Sequence, residues 1–335
     1  LHAAKAGRGG LSMARFRRPA RPLGRRTAFR GGSFGAVLLA LGACASGPEL
    51  TLRGAGSRVL VTVGQDLFAE YRADGPRGPA VWPVLAPGGE PMTRGFPFFA
   101  VDGESQDQPH HTSLWFALAD LGGVDFWSGP GRIVPAGPPL LDQVGKGLVQ
   151  PCEWRAADGA VLAREQRTLR FSAGTDWRAI DLSVALRRDD GELLLGAGAA
   201  GAALRLRPVL ALEGPGAQGR AFDSQGRTGL RAGSGPARWV AHSAVVGGEL
   251  HTVALFDHPA NHAEAVRWVV RGAGLVVAAP FAAPEAAGSG GAVVEPVRVP
   301  AGAELRLRYR VFVQRGDVGA DGVARAFAAF AATAR

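Results

Sequence analysis

The sequence lacks any apolar run of the roughly 20 residues that a membrane-spanning helix needs. It also lacks the glycine-rich loops that hold phosphates or dinucleotides and the sharp turn that exposes a catalytic serine. These absences argue against an integral membrane protein, a nucleotide-dependent enzyme and an α/β-type serine hydrolase. Function therefore has to be sought among individual polar side chains.

Acidic residues are absent from the first 43 positions, and this absence accounts for the whole formal charge. The net charge is +9, from 38 basic and 29 acidic residues, and nine of the basic residues lie within positions 1–43. The remainder carries 29 residues of each sign and is formally neutral. Nucleic-acid binding usually needs a basic surface. We therefore expect no nucleic-acid partner.

The amino-terminal segment has the three-part organisation of an export signal. Basic residues lie between Arg15 and Arg30, an apolar run follows from Phe34 to Ala40, and small residues precede Cys44. A positive region, a short apolar core and a small-residue cleavage site describe a secretory signal. We predict that residues 1–43 are a leader, of which residues 1–12 precede the first Met and are interpreted as an overextended start.

Leu41-Gly42-Ala43-Cys44 resembles the bacterial lipobox, in which the cysteine is lipidated and becomes the mature N-terminus. This resemblance implies that residues 44–49 are a short tether and that the protein is an exported cell-envelope lipoprotein. Its membrane contact would be through the lipid anchor only. Ala45 in place of an aspartate predicts the outer membrane, facing the periplasm. The alternative is an ordinary signal peptide that contains a cysteine.

Cysteine is scarce, and its scarcity limits the covalent chemistry. Cys152 is the only other cysteine, so a lipidated Cys44 would leave no partner for an intramolecular disulfide. Cys152 lies in a strand-like segment, where a buried and unreactive thiol is expected.

The rest of the chain has the pattern of an all-β protein. Short alternating runs are separated by Gly and Pro turns, and Ala160 to Phe171 with Ala179 to Leu186 forms a hairpin pattern. The run Glu304 to Val311 predicts a half-buried strand. Its solvated face is expected to carry Arg306, Arg308 and Arg310. The last segment alone has helical spacing, at Val323, Phe327 and Phe330. We predict a single large β-sandwich domain over residues 50–335 with one C-terminal helix.

One stretch, Asp107 to Trp127, concentrates the polar and aromatic side chains. It reads DQPHHTSLWFALADLGGVDFW and opens on a turn-type Asp-Gln-Pro. His111 to Ala117 is interpreted as a strand with His111 and Trp115 on one face. If the protein has a site, this stretch is the place where we expect it.

His111 is the first candidate for a general acid or base, because imidazole titrates near neutral pH. Asp120 or Asp125 would orient it or act as the opposing carboxylate. Arg94 would hold an anionic or hydroxyl-rich ligand, and Trp115 and Trp127 would stack on sugar rings. The alternatives are a hydrogen-bonded core histidine, turn-capping aspartates and core tryptophans.

A metal site has little support in the sequence. Neighbouring residues of a strand point to opposite faces, so His110 and His111 cannot chelate one ion unless a turn twists them together. We therefore predict no metal ligands and expect no cofactor.

Several blocks, in the same order, resemble the bacterial family labelled "methane oxygenase PmoA". They are Trp82 to Gly89, Thr93 to Pro97, Asp107 to Trp127, Gly131 to Ile133 and Phe256 to Asn261. The resemblance implies a β-sandwich of mutarotase-like shape, found in sugar-catabolic settings. We do not expect methane oxygenase activity, because a methane monooxygenase subunit would need several membrane spans.

The resemblance also points to ligand-binding residues and to departures. The polar positions that match the family pattern include Asp107, His110, His258 and Asn261. Histidines of that pattern are replaced here by Gln108, Leu118, Val269 and Gln314, and an acidic pair is replaced by the segment 196–201.

Two hypotheses of function follow. One is an envelope enzyme, a hydrolase, lyase or epimerase, acting on a carbohydrate-related small molecule through His111. The other is a catalytically reduced lipoprotein that binds a glycan or a protein in the same cleft. Convergence of His111, His258 and Arg94 in one cleft would favour the enzyme, and their separation would count against it.

Overall fold

Strands dominate the described part of the chain, which in the computed structural model comprises residues 49–198, 200–261, 265–282 and 295–333. The strands are β1 (Leu50–Ala55), β2 (Arg58–Val63), β3 (Asp66–Arg72), β4 (Ala80–Val84), β5 (Leu114–Phe116), β6 (Arg132–Pro135), β7 (Leu140–Asp142), β8 (Gly147–Arg155), β9 (Val161–Ala173), β10 (Trp177–Arg187), β11 (Leu193–Leu195), β12 (Ala202–Arg205), β13 (Arg220–Asp223), β14 (Trp239–Val246), β15 (Glu249–Asp257), β16 (Arg267–Arg271), β17 (Leu275–Ala279), β18 (Val297–Val299) and β19 (Glu304–Arg315). One α-helix, α1 (Gly319–Ala331), follows the last strand, and 3-10 turns occur at Pro208–Leu210 and Gly229–Arg231. The predicted all-β fold with a C-terminal helix is confirmed.

Two large antiparallel sheets contain most of these strands. The eight-stranded sheet has the order β1-β2-β3-β4-β5-β12-β17-β16. The nine-stranded sheet has the order β13-β14-β15-β19-β10-β9-β8-β6, with β7 also paired to β8. Strands β11 and β18 form a small separate pair. The described residues lie in one compact unit, Ser46–Arg335, whereas the leader and Cys44 lie outside the described residues.

The two sheets pack face to face around a continuous apolar core. Phe68 of β3 lies edge-on to Phe171 of β9, with ring centroids 5.9 Å apart. Phe116 of β5 contacts both Trp154 of β8 and Tyr309 of β19, at 6.1 Å each. Because these ring contacts join opposite sheets, the architecture is the predicted β-sandwich.

A buried ion pair lies in the same interface. Arg167 of β9 donates from Nε to Glu165 Oε1 at 2.5 Å and from Nη1 to the Pro79 carbonyl, just before β4, at 2.8 Å. Its Nη2 lies 3.3 Å from the Phe116 carbonyl of β5. Trp154 donates from Nε1 to Glu165 Oε2 at 2.6 Å. The pair therefore ties the nine-stranded sheet to the strand that carries the central stretch.

The predicted hairpin and the last strand form the middle of the nine-stranded sheet. Strand β10 pairs with β9 on one side and with β19 on the other. On the outer face of β19, Arg306 is exposed, as predicted for a solvated face. Arg310, by contrast, makes two hydrogen bonds to Asp181, at 2.5 and 2.8 Å, and Arg308 binds the Thr333 hydroxyl at 2.7 Å. The prediction of a solvated face is therefore wrong for these two arginines, because the helix and β10 cover them.

The helix covers the outer face of the nine-stranded sheet. Val323 and Phe330 are buried against Phe256 of β15 and Phe312 of β19, and Phe327 is half-buried beside them. The predicted helix and its apolar face are confirmed. No helix in the described ranges is long and apolar enough to cross a bilayer. Cys152 lies buried in β8, and burial raises the pKa of its thiol.

The central stretch lies on the outer face of the eight-stranded sheet. The strand predicted over His111 to Ala117 is shorter, Leu114–Phe116, because Ser113 has a φ of +77° that interrupts extended backbone. Within β5, Phe116 points toward the nine-stranded sheet, so Trp115 points to the opposite, outer face. His111 and Trp127 lie over Trp115 on that outer face, whereas Phe126 packs against Trp154 of the nine-stranded sheet.

Candidate functional site

Four aromatic rings of the central stretch form one cluster. The His111 ring stacks on Trp115 with centroids 5.4 Å apart, and Trp127 lies 5.0 Å from Trp115 and 5.8 Å from His111. His110 lies edge-on to both His111 and Trp127, at 4.4 and 6.3 Å. The turn at His110 thus brings both histidines to one place, which an uninterrupted strand would not do.

The backbone around the histidine pair is held in unusual conformations. Gln108 and Ser113 have φ values of +48° and +77°, in the left-handed region that residues other than glycine rarely adopt. The His111 amide donates to the Gln108 carbonyl at 2.9 Å, which closes the turn. The Ser113 hydroxyl donates to Thr93 Oγ1 at 2.7 Å. Such conformations cluster at ligand-binding and active sites, so they support a functional interpretation of the pair.

A cavity of about 400 Å³ opens beside the pair. Its wall combines polar and aromatic side chains with a few small or apolar ones: Asp107, Gln108, His110, His111, Trp127, Ser128, Arg205, Arg271, Ala273 and Leu275. The volume suits a small organic ligand. Trp115 is absent from this wall because His111 and Trp127 cover it. Trp115 is therefore not placed to stack on a ligand in this cavity, and it packs beneath the rings of His111 and Trp127.

Electrostatics keep His111 in its neutral form. Burial, and then the neighbouring His110 and the charges of Arg205 and Arg94, lower the pKa of His111 to about 3. Within the described part of the chain, its buried Nδ1 has no hydrogen-bond partner. Burial and the charge of Arg77 also lower the pKa of His110. His111 is therefore a neutral imidazole of the cavity wall, and its Nδ1 is buried without a partner among the described residues.

Arg94, predicted to hold a ligand, is engaged by the protein itself. It donates from Nη1 to Asp107 Oδ1 at 2.5 Å and to the Ser105 hydroxyl at 3.0 Å, and from Nη2 to the Asp107 carbonyl at 2.9 Å. Nε donates to the Phe96 carbonyl at 3.3 Å. Arg94 is fully buried and fastens the loop that leads into the histidine turn. The ligand-binding prediction for Arg94 does not match this geometry.

Asp107 lies on the cavity wall as predicted, but its carboxylate is already shared. Its Oδ1 accepts from Arg94, from the Ser105 hydroxyl at 2.8 Å and from Arg205 Nη2 at 3.3 Å. Although burial alone would raise the pKa of Asp107, the hydrogen bonds from Ser105 and Arg94 and the charge of Arg205 hold that pKa below its usual value. Asp107 is therefore an anion that positions two arginines.

Arg205, at the end of β12, was missed as a candidate for the site. It is 4% exposed and lines the cavity. Its amide donates to the Ser113 carbonyl at 2.8 Å, and its carbonyl accepts from the Arg94 amide at 3.0 Å. The only sequence signal was an arginine in an otherwise apolar, alternating strand. Its approach to Asp107, 98 residues away, depends on β5 pairing with β12.

The two carboxylates proposed as partners of His111 cap turns instead. Asp120 Oδ1 accepts from the Gly123 amide at 2.8 Å. Asp125 Oδ1 accepts from the Trp127 amide at 2.7 Å, and its Oδ2 accepts from the Ser128 hydroxyl at 2.8 Å. Neither makes a hydrogen bond to His111 among the residues described. The predicted catalytic pairing of His111 with these aspartates is not what the fold brings together.

His258 and Asn261 lie away from the cavity, on the outer side of the other sheet. The His258 ring packs edge-on against Phe330 of the helix, with centroids 4.9 Å apart, and its Nδ1 accepts from the Ala260 amide at 3.0 Å. Asn261 clamps its own turn to β19 through the amide and carbonyl of Arg308, each at 2.7 Å. His111, His258 and Arg94 do not share a cleft, so the predicted convergence is absent. Asn261 lines a separate cavity of about 440 Å³ on this face of the nine-stranded sheet.

A second cavity, of about 530 Å³, is larger but less specific. It is bordered by small residues and by the strand β16, and its charged side chains are Arg267 and Arg271. Of the predicted site residues, none borders it. Over the ranges that the structure describes, no three His, Cys, Asp or Glu side chains are placed to hold a metal ion. The cavity at the histidine pair brings together four of the predicted site residues, Asp107, His110, His111 and Trp127, so it is the candidate site.

The fold and cavity define a β-sandwich protein with a histidine- and arginine-lined pocket on one outer sheet face. Residues 58–328 match DUF6807, a family of unknown function, and the chain belongs to that family. Among curated proteins, none matches the chain.

Some solved structures are similar at low identity. A polysaccharide lyase is 11% identical, over 82% of this chain and 33% of its own, with a TM-score of 0.35. The GH36 α-galactosidase AgaA of Geobacillus stearothermophilus is 13% identical, over 83% of this chain and 42% of its own, with a TM-score of 0.36. YeaD of Salmonella typhimurium, assigned as a mutarotase, is 11% identical, over 79% of this chain and 94% of its own, with a TM-score of 0.30. This chain thus spans less than half of the first two, and likenesses of this strength carry no argument about activity.

Proposed function

We propose that the cavity at His110 and His111 binds a carbohydrate-related small molecule. The observation that carries this proposal is the convergence of Trp127, the neutral His111 ring and Arg205 on one cavity. A sugar ring presents an apolar face and a rim of hydroxyl groups. A half-buried tryptophan suits the face, and an imidazole and a guanidinium suit the hydroxyls, because an imidazole can donate and accept hydrogen bonds and a guanidinium can donate several.

The proposed activity is binding, the second of the two hypotheses from the sequence. An imidazole whose pKa is about 3 is a weak base at neutral pH, and proton transfer is efficient only when that pKa lies near the working pH. A hydrolase, lyase or epimerase would also need a second proton-transferring group. Asp120 and Asp125 cap turns, and Gln108 stands on the wall where the related family pattern has a histidine.

We further propose that the protein is exported and anchored through a lipidated Cys44. The support is the leader sequence alone, and the resemblance to the family labelled methane oxygenase PmoA likewise stays a prediction. Mass spectrometry of the mature N-terminus tests the anchor. A diacylated Cys44 is expected, and an unmodified residue at the cleavage point would contradict it.

The first prediction concerns ligand binding and Trp127. A sugar or sugar derivative present at about 100 times its dissociation constant should stabilise the parent protein by about 2.7 kcal/mol, visible as a higher unfolding midpoint. Trp127→Ala should abolish most of that shift, because the ring forms the apolar part of the wall. The measurement is a thermal-shift screen of mono- and oligosaccharides and sugar acids.

Leu140→Ala provides the matched control, since it removes an exposed apolar side chain on the other sheet. It should keep the ligand-induced shift of the parent. The unfolding midpoint of each variant is measured with and without ligand. The ligand-induced shift is therefore separate from any change in the stability of the unliganded variant. Absence of any shift in the parent, or an equal shift in Trp127→Ala, would overturn the proposed site.

A further inference from the structure

Two arginines lie in one lateral row on the outer face of the eight-stranded sheet. Arg205 of β12 is paired directly with Leu275 of β17, and Leu275 is paired with Arg271 of β16. Residues directly opposite each other in antiparallel strands share a face, so both arginines lie on the face of Leu275. Neighbouring strands are about 4.8 Å apart, which puts the two Cα atoms roughly 10 Å apart. Both side chains line the cavity at the histidine pair.

The nearby negative charge does not suffice for the arginines present. The Asp107 carboxylate lies 2.5 Å from Arg94 and 3.3 Å from Arg205, and both contacts use the same oxygen, Oδ1. Arg205 is buried, yet its Nε has no hydrogen-bond partner among the described residues. A buried cation is costly when its donors are unmatched. The Glu104 carboxylate also attracts Arg205, but it accepts from the Gly95 amide and makes no ion pair with Arg205 among the described residues. Asp107 is therefore the one carboxylate of the described ranges that is hydrogen-bonded to Arg205, and it is shared with Arg94.

Arg271 adds a further positive charge at the rim. It is exposed at the turn between β16 and β17, and across the described ranges its side chain makes no hydrogen bond or ion pair. The lowered pKa of His111 is partly an effect of the same positive field, since Arg205 and Arg94 contribute to it after burial and His110. Of the charged side chains in the cavity wall, Arg205 and Arg271 are positive and Asp107 is negative, so the wall has an excess of positive charge.

We propose that the ligand of this cavity carries a carboxylate that Arg205 and Arg271 bind together. This inference rests on the proposed function and narrows it from sugars in general to sugar acids of the uronate type. The planar guanidinium fork matches a carboxylate, and Arg205 is a buried cavity-lining cation whose Nε lacks an acceptor among the described residues. A single negative charge also suits the site, because Asp107 already stands beside Arg205.

The test is calorimetric titration of the purified protein with matched pairs of ligands. The pairs are galacturonate with galactose and glucuronate with glucose, and galactose 6-phosphate is a separate probe. The parent should bind one of the acids about tenfold to a hundredfold more tightly than its neutral partner, the range of charge-assisted hydrogen bonds. Arg205→Gln should remove most of that preference, because it should weaken binding of the acid far more than it weakens binding of the neutral sugar.

Two further variants keep the result interpretable. Arg271→Gln changes an exposed side chain that folding does not need, and it should also reduce the preference for the acid, even if Arg205→Gln proves unstable. Arg306→Gln removes the same charge on the other sheet, where Arg306 is paired with Glu304, and should leave the preference intact.

The outcomes separate the two proposals. Equal binding of acid and neutral sugar, or an undiminished preference in both cavity variants, would overturn the carboxylate inference and leave the proposed function standing. Tightest binding of galactose 6-phosphate would also overturn it, in favour of a phosphate ligand. Absence of binding by every sugar and acid would overturn both proposals.

Discussion

Replacing Arg167 by methionine is expected to lower the free energy of unfolding by about 3–5 kcal/mol. Arg167 is 2% exposed, and it is the partner that balances the charge of Glu165 between the two sheets. Although burial alone would lower the pKa of Arg167, the adjacent Glu165 carboxylate raises it above its usual range. Methionine fills a similar volume but leaves Glu165 as an uncompensated charge in a dry interior. It also leaves the Pro79 carbonyl without this donor.

A double replacement separates the charge effect from a packing effect. Arg167→Met combined with Glu165→Gln removes both charges and keeps an acceptor for Trp154 Nε1, so it should recover most of the lost stability. Arg306→Met removes an exposed arginine paired with Glu304 and should cost less than about 1 kcal/mol. The measurement is urea unfolding of the four proteins. If the Arg167 variant matched the surface control, or if the double replacement were as unstable as Arg167→Met alone, this account of the interface would fail.

Asp257→Asn should remove a large part of the pH dependence of the free energy of unfolding. Burial raises the pKa of Asp257 to about 7 from a usual value of 3.8, although Asn261 and Arg238 act against burial. Between these two pH values the native state keeps a proton that the unfolded chain releases. The stabilisation that comes from this retained proton is fully present below pH 3.8. It is lost as the pH rises through 7. At about 1.4 kcal/mol per pH unit, the loss amounts to about 4 kcal/mol.

An amide at position 257 does not titrate, so the variant does not lose this stability as the pH rises. The free energy of unfolding of the variant, relative to the parent, should therefore rise by about 4 kcal/mol between pH 4 and pH 8. The attraction of Arg238 for the ionised carboxylate is already included in the pKa of about 7. A change in packing that does not depend on pH shifts the whole curve equally, so the slope is the informative quantity. Chemical denaturation at five or six pH values provides it. A difference that stays constant with pH would show that Asp257 titrates at its ordinary pKa in the folded protein.

Much of the fold could be predicted because local patterns agreed with the tertiary structure. Alternation over the hairpin and the last strand specified which residues face the core, and helical spacing specified the buried face of the C-terminal helix. The interruption at Ser113 could not be predicted in this way. Its left-handed conformation depends on contacts with Thr93 and Arg205, which are distant in sequence.

The candidate site could be predicted in part. The concentration of His110, His111 and Trp127 in one stretch indicated the place, and the structure brings these side chains to one cavity. The structure places Asp120 and Asp125 in turn caps rather than in hydrogen bonds with His111, and the glycine pair after Asp120 is an ordinary sign of such a cap. His258 belonged to a block with family resemblance, but sequence order does not reveal on which sheet face a loop falls. Arg205 was missed because its role requires the pairing of β12 with β5 and β17.

The central claim is that His111 is a neutral, ligand-contacting side chain, and histidine side-chain NMR tests it most directly. In protein labelled with ¹⁵N-histidine, the His111 imidazole should stay neutral down to pH 5, because its pKa is about 3. At neutral pH, saturating galacturonate should shift the His111 signals. It should leave those of His242 unchanged, since His242 lies on the other sheet with Nδ1 bonded to the Leu210 carbonyl. Titration of His111 near pH 6.5, or signals that do not move while galacturonate binds, would contradict the account.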